Sequence, residues 1–103
     1  MKIYAQGLLT RFSHKHANAG EALDAWLVVI ERSTWRTPQE IKEHYPSADF
    51  LANNRVIFNI VGNHFRLVVK INYRAGTALI EWIGTHAEYD KQNIPINLSR
   101  RFK

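Results

Sequence analysis

From His64 to Arg74 the sequence alternates so regularly that its two faces can be read off by parity. Phe65, Leu67, Val69, Ile71 and Tyr73 share one face of an extended strand, and His64, Arg66, Val68, Lys70, Asn72 and Arg74 share the other. A strand with one apolar face must be covered on that side, and helical patterns upstream supply the cover. Leu8, Leu9, Phe12 and His16 recur at helical spacing until "ANAG" at 17–20 interrupts them. Leu23, Trp26, Leu27 and Ile30 then follow at i, i+3, i+4 and i+7, the stripe of an amphipathic helix. "TPQE" at 37–40 predicts a third, short helix, with Thr37 as N-cap, Pro38 at the first helical position and Glu40 three residues after the cap. Tyr45-Pro46 should end it, because the residue before a proline avoids the helical region. "MKIY" reads as a short first strand, and residues 47–54 as a loop.

After Asn54 the period is two, and residues 55–61, 64–73 and 77–84 read as strands. "GN" at 62–63 is a strong hairpin signal and "AG" at 75–76 a weaker one. Helices followed by a three-strand meander predict an α+β domain, with helices on one face of a mainly antiparallel sheet. Two-residue turns at both places fix the register by counting. Ile60 then faces Phe65, Phe58 faces Leu67, Val56 faces Val69, Ile71 faces Ile80 and Val69 faces Trp82, all apolar pairs. On the outer face the same count sets Asn59 beside Arg66, with Thr85 on the other flank of Arg66. It also sets Arg55 opposite Lys70 and Lys70 opposite Glu81. Like charges directly opposite one another are destabilising. Either Glu81 offsets the repulsion, or the long tips splay into water, or a bound phosphate fills the gap.

A chain of 103 residues implies one domain, 1–103, with a single modest core. It has no repeat, linker or low-complexity segment. The absence of cysteine rules out disulfides and thiolate metal sites, and fits a reducing cytoplasm. "AWLVVI" at 25–30 is far too short to span a bilayer, and "MKIYAQGLL" lacks the apolar core of a signal peptide. The net charge of +5 and the pI near 9.8 give either solubility or affinity for a polyanion. The basic outer face of the middle strand favours the second.

"IGTHAEYD" at 83–90 follows the last strand at the Arg66 end of that face. Arg66, Asn59, Thr85, His86, Tyr89 and Asp90 could therefore converge. Cleaving RNA through its 2′-hydroxyl needs a group to take that proton, cations to steady the charge on the phosphate, and a proton for the leaving 5′-oxygen. An imidazole suits either proton role near neutral pH. The plainer readings are that His86 is a hydrogen-bonding cap, that Tyr89 packs its ring on Trp82, and that Asp90 caps a short final turn. The His-x-Glu at 86–88 lacks the cysteines of a zinc deaminase. "HKH" at 14–16 would put its imidazoles on different sides of a helix, which argues against a metal there.

The block "NNRVIFNIVGNHFRLVVKINYRAGTALIEWIGTHAEYDK" at 53–91 resembles the core of the HigB-type toxins of bacterial type II toxin–antitoxin modules. The helical segment 5–45, with "TPQEIKEHYPSAD", resembles the same family's N-terminal half, so the likeness spans residues 1–91 and leaves out "IPINLSRRFK". It implies a RelE-like fold of N-terminal helices on a small, curved, mainly antiparallel sheet. The parts would be a short strand and helices (1–54), the sheet and catalytic segment (55–91) and a tail (92–103). It further implies an mRNA interferase, an endoribonuclease acting on translating ribosomes without a metal or cofactor. The expected partners are mRNA and the ribosome, a HigA-type helix-turn-helix antitoxin, and operator DNA only through the antitoxin complex, with no membrane. The matching catalytic positions are Arg66, His86, Tyr89 and Asp90, with Arg55, Asn59, His64, Lys70, Asn72 and Arg74 as RNA-binding candidates. Glu81 departs from the basic pattern of that face. The competing reading is a non-catalytic RNA- or ribosome-binding module of the same fold, which would not need His86.

Overall fold

A computed structural model of the protein describes residues 1–91, so the expected tail at 92–103 lies outside the described residues. The elements run β1 (Lys2–Tyr4), α1 (Gly7–Lys15), α2 (Ala17–Arg32), α3 (Pro38–His44), β2 (Asp49–Leu51), β3 (Arg55–Ile60), β4 (Phe65–Asn72), β5 (Thr77–Thr85) and α4 (His86–Lys91). The strands form one five-stranded sheet in the order β1-β5-β4-β3-β2. All its pairings are antiparallel except β1 with β5, so the first strand closes against the last. This is the α+β, RelE-like architecture expected.

One face of the sheet carries the main core. Val56, Phe58 and Ile60, Phe65, Leu67, Val69 and Ile71, and Ala78 and Ile80 meet Leu9, Phe12, Leu23, Trp26, Ile30 and Ile41 from the helices. Phe58 is the hub, with Trp26, Trp35 and Tyr45 around its ring at centroid distances of 5.3, 6.3 and 5.1 Å. Full burial of a side chain of this size contributes about 1.5–3 kcal/mol. Thr37 caps α3 as its sequence predicts, its Oγ1 accepting from the Glu40 N–H.

Several local expectations are corrected. The break between α1 and α2 falls on His16 alone, and "ANAG" is the first turn of α2. His16 leaves the helix to stack on Phe12 and to meet the edge of Phe65, which secures the corner. The stretch at 47–54 contains β2, which hairpins onto β3 because Asn53 and Asn54 both accept the left-handed conformation. The β3–β4 register is the one counted, from Ile60–Phe65 to Arg55–Lys70.

The β4–β5 register is not. Asn72 Oδ1 accepts the Ala75 N–H and Gly76 sits at φ +73°, so the connection occupies 73–76 rather than "AG" alone. Ile71 thus pairs with Ala78, Val69 with Ile80 and Lys70 with Leu79. A bulge between Val68 and Val69 then shifts the ladder by one. Past it, Val68 pairs with Trp82, Leu67 with Ile83, Arg66 with Gly84 and Phe65 with Thr85. Trp82 consequently joins the outer face, where it packs on Ile57, Val68, Leu51 and Tyr89 in a second, smaller cluster.

Candidate active site

The outer face ends at α4, and α4 exists because of its first residues. Thr85 and Glu88 form a capping box: the Glu88 N–H donates to Thr85 Oγ1 at 3.0 Å and the Thr85 N–H donates to Glu88 Oε1 at 2.8 Å. The expectation that Thr85 flanks Arg66 therefore fails, since Thr85 is the cap and Gly84 stands opposite Arg66. The pattern Thr-x-x-Glu at 85–88 was the signal for this helix, and sequence reasoning passed over it. Backbone pairing reaches one step further, with the His86 N–H donating to the His64 carbonyl at 2.9 Å. Within α4, His86, Tyr89 and Asp90 fall at i, i+3 and i+4, on one side of the helix.

That side meets Arg66. Its Nη2 lies 2.8 Å from His86 Nε2, and His86 Nδ1 lies 3.1 Å from Asp90 Oδ2. Arginine carries only donors, so Nε2 must be the acceptor and the ring proton sits on Nδ1, facing the carboxylate. The Arg66 guanidinium also lies 4.8 Å above the Tyr89 ring, whose edge packs on Trp82 at 5.8 Å. Tyr89 is buried at 8% exposure, whereas His86 and Asp90 expose 37% and 57% of their side chains. The imidazole and the carboxylate are reachable from solvent; the phenol ring is a platform beneath the arginine. Arg66 Nε is buried and makes no hydrogen bond.

The RNA-binding candidates divide. Asn59 is the cross-strand neighbour of Arg66, and its amide is tied to the Ser47 carbonyl at 3.0 Å. His64 is exposed and adjoins the site through its backbone. Lys70 is exposed four residues along β4, about 13 Å from Arg66 at the usual strand rise. Arg55 is engaged: its Nε donates to Glu81 Oε1 at 2.6 Å and Nη2 to Oε2 at 3.3 Å. Of the three explanations for the Arg55–Lys70 opposition, the structure shows two: Glu81 pairs with Arg55, rather than standing opposite Lys70, and the Lys70 side chain is exposed to water. Asn72 spends its carbonyl on the 73–76 turn. Arg74 lies in that turn at the far end of β4, beside Arg36 and Tyr73. Burial raises the phenol pKa values of Tyr45 and Tyr73, both remote from His86.

Among the described residues, no three His, Cys, Asp or Glu side chains gather where they could hold a metal ion, and no helix is long and apolar enough to cross a membrane.

Helices on one face of a five-stranded, mainly antiparallel sheet are consistent with the α+β architecture of a RelE-like fold, and an arginine–histidine–carboxylate chain lies at the end of the other face. Residues 19–92 match the HigB toxin family, the RelE-like toxic component of a toxin–antitoxin system, and the chain belongs to that family. It is 29% identical over 93 residues to the mRNA interferase HigB of Escherichia coli O6:H1, covering 88% of this chain and 90% of that protein. To the mRNA interferase toxin HigB of Escherichia coli K12 it is 26% identical over 92 residues, covering 87% of this chain and 88% of that one. The mRNA interferase HigB of Shigella flexneri matches with the same identity and coverage.

Proposed function

We propose that the protein is the toxin of a type II toxin–antitoxin module and an endoribonuclease that cuts mRNA on translating ribosomes. The observation that carries the reading is the chain Asp90–His86–Arg66, at 3.1 and 2.8 Å. Asp90 holds the tautomer in which Nε2 has the lone pair, so Nε2 is the proton acceptor. In the resting site Arg66 covers that lone pair. A phosphate is a stronger acceptor than imidazole for a guanidinium, so arriving RNA draws Arg66 onto the scissile phosphate and uncovers Nε2. His86 then takes the 2′-hydroxyl proton, the 2′-oxygen bonds to phosphorus, and the bond to the 5′-oxygen breaks, leaving a cyclic phosphate. The departing 5′-oxygen takes a proton from water. Tyr89 supports the guanidinium from below, and Lys70 with Asn59 and His64 extends the phosphate path. Asn72 and Arg74 are placed for a more distant part of the RNA, and Arg55 serves the sheet through Glu81.

No metal ion enters this reading, in which His86 takes the 2′-hydroxyl proton, Arg66 steadies the phosphate and water protonates the leaving oxygen. The reading assigns one imidazole to a reaction with two proton transfers, which makes ribosomal positioning of the message the natural source of the remaining rate. The antitoxin is expected to be a HigA-type helix-turn-helix protein that brings the complex to operator DNA, all within the cytoplasm, and residues 1–103 are expected to act as one domain.

The test is to map RNA 5′ ends after induction, with translation running and with it blocked. Cleavage should appear only during translation, and His86→Ala or Arg66→Ala should abolish it in a folded protein. If both variants cut normally, the assignment is wrong; if RNA is bound but never cut, the protein is a binding module.

A further inference from the structure

We propose that the groove between α1 and the second half of β5 is a stacking subsite for a nucleotide of the RNA, next to the cleaved phosphate; the proposal rests on the reading of Arg66 and His86 above. β1 pairs with β5 only at Thr77, Ala78 and Leu79, so from Ile80 onward α1, not a strand, lies along that edge. The resulting groove has a volume of about 280 Å³. Leu8, Phe12 and Ile83 make it apolar, Arg11 and Lys15 give one bank a positive charge, and Trp82 lines the other.

Three observations select a nucleotide as the occupant. Arg11 and Lys15 are exposed, stand at i and i+4 on α1, and form no ion pair among the described residues, so two like charges are held side by side without a counter-charge. Glu81, the carboxylate at the groove, is already occupied by Arg55. The second observation is Trp82. Its indole lies across Gly84, close enough that a Cβ there would be 2.5 Å from the ring, and Trp82 lines the groove. An aromatic residue beside cations is the composition of a single-strand site, in which the ring stacks a base and the cations hold its phosphate. The third is continuity. Trp82 contacts Tyr89 at 5.8 Å, and Tyr89 carries Arg66 at 4.8 Å, so the indole is one ring away from the proposed cleaving pair. A peptide strand pairing with the β5 edge is the other possible occupant, but it would leave the two cations unanswered.

The experiment uses intrinsic fluorescence of the whole purified protein, titrated with a single-stranded 2′-O-methyl oligoribonucleotide that cannot be cut. Trp26 and Trp35 are buried at 2% and 3% exposure, so quenching reports Trp82. Saturable quenching is expected for the wild type and for His86→Ala. The pair Arg11→Glu and Lys15→Glu, both on the surface and checked for an unchanged melting curve, should weaken binding roughly tenfold or more and lower the salt slope by about 1.4. Trp82→Phe, which keeps a ring, should bind more tightly than Trp82→Ala in competition. No quenching by RNA, an unchanged affinity and salt slope after charge reversal, or quenching by the antitoxin but not by RNA would each overturn the proposal. The cleavage reading fails separately, through full toxicity of His86→Ala with the quenching intact.

Discussion

Replacing Gly84 with alanine tests how tightly the site is built. A Cβ at that position would lie 2.5 Å from Trp82 Cη2, 2.6 Å from Trp82 Cζ2 and 2.7 Å from Glu88 Oε1. Ordinary contact begins near 3.4 Å, so both side chains must move by close to an ångström. Overpacking of this kind costs about 1–3 kcal/mol. Part of the strain falls on Glu88, whose carboxylate holds the Thr85 N–H, and disturbing that cap adds about 1 kcal/mol. A total of about 2–4 kcal/mol corresponds to a fall in Tm of about 8–30 °C for a chain of this size. Thermal denaturation followed by circular dichroism measures it, with a double-mutant cycle to identify the cause. In a Trp82→Ala background, Gly84→Ala should cost only the cap contribution, giving a coupling of about 1 kcal/mol or more. Equal costs in both backgrounds would show that the indole does not occupy the space above Gly84, and would remove the support argued for the stacking ring.

Glu81→Ala leaves Arg55 without its acceptor and opposite Lys70, in a pair whose side chains are only 13% and 18% exposed, so urea denaturation should show a loss of about 1.5–3 kcal/mol. Thr85→Ala removes the cap of a helix that spans only His86–Lys91. It should cost about 1 kcal/mol in melting experiments and reduce cleavage, because His86 rides on that first turn. Asp90→Asn keeps a hydrogen-bond acceptor and loses the charge. Its stability should stay within about 0.5 kcal/mol of wild type while the cleavage rate drops by about tenfold or more, read as product formed per ribosome.

How far the sequence could be read depended on how local the deciding interaction is. The β3–β4 register was legible pair by pair because alternation and the Gly62-Asn63 turn agree. The β4–β5 register was not, since it is set by the Asn72 side chain turning back on Ala75 and by a bulge, neither of which alters alternation. β2 was hidden because three residues carry no period, although the two left-handed asparagines that fold it back were visible. α4 was too short for periodicity and announced itself only through Thr85 and Glu88. The candidate cluster was found by a partly wrong count. Parity gave Arg66 its face, but the residue opposite is Gly84, and α4 rather than strand pairing brings His86, Tyr89 and Asp90 to the guanidinium.

The bulge accounts for Glu81, an acidic residue on that face. In a bulge two successive residues oppose a single partner, and both can serve the same face. Here Val69 pairs with Ile80 and Val68 with Trp82, so Glu81 is the extra residue. It directs its carboxylate to Arg55 while Trp82 packs beside it on Val68 and Tyr89. Deleting Glu81 would let Trp82 follow Ile80 directly in a regular ladder, with Gly84 still opposite Arg66 and His86 still beside it. The inserted residue is therefore dispensable for the geometry of the site. It supplies a local counter-charge for Arg55, leaving Lys70 and Arg66 as the cations on that face that can answer a phosphate. The deletion should cost roughly what Glu81→Ala costs, about 1.5–3 kcal/mol, and keep cleavage at a temperature where the protein remains folded. Loss of cleavage in a deletion variant with a native spectrum would mean that Glu81 shapes the active end of the sheet itself.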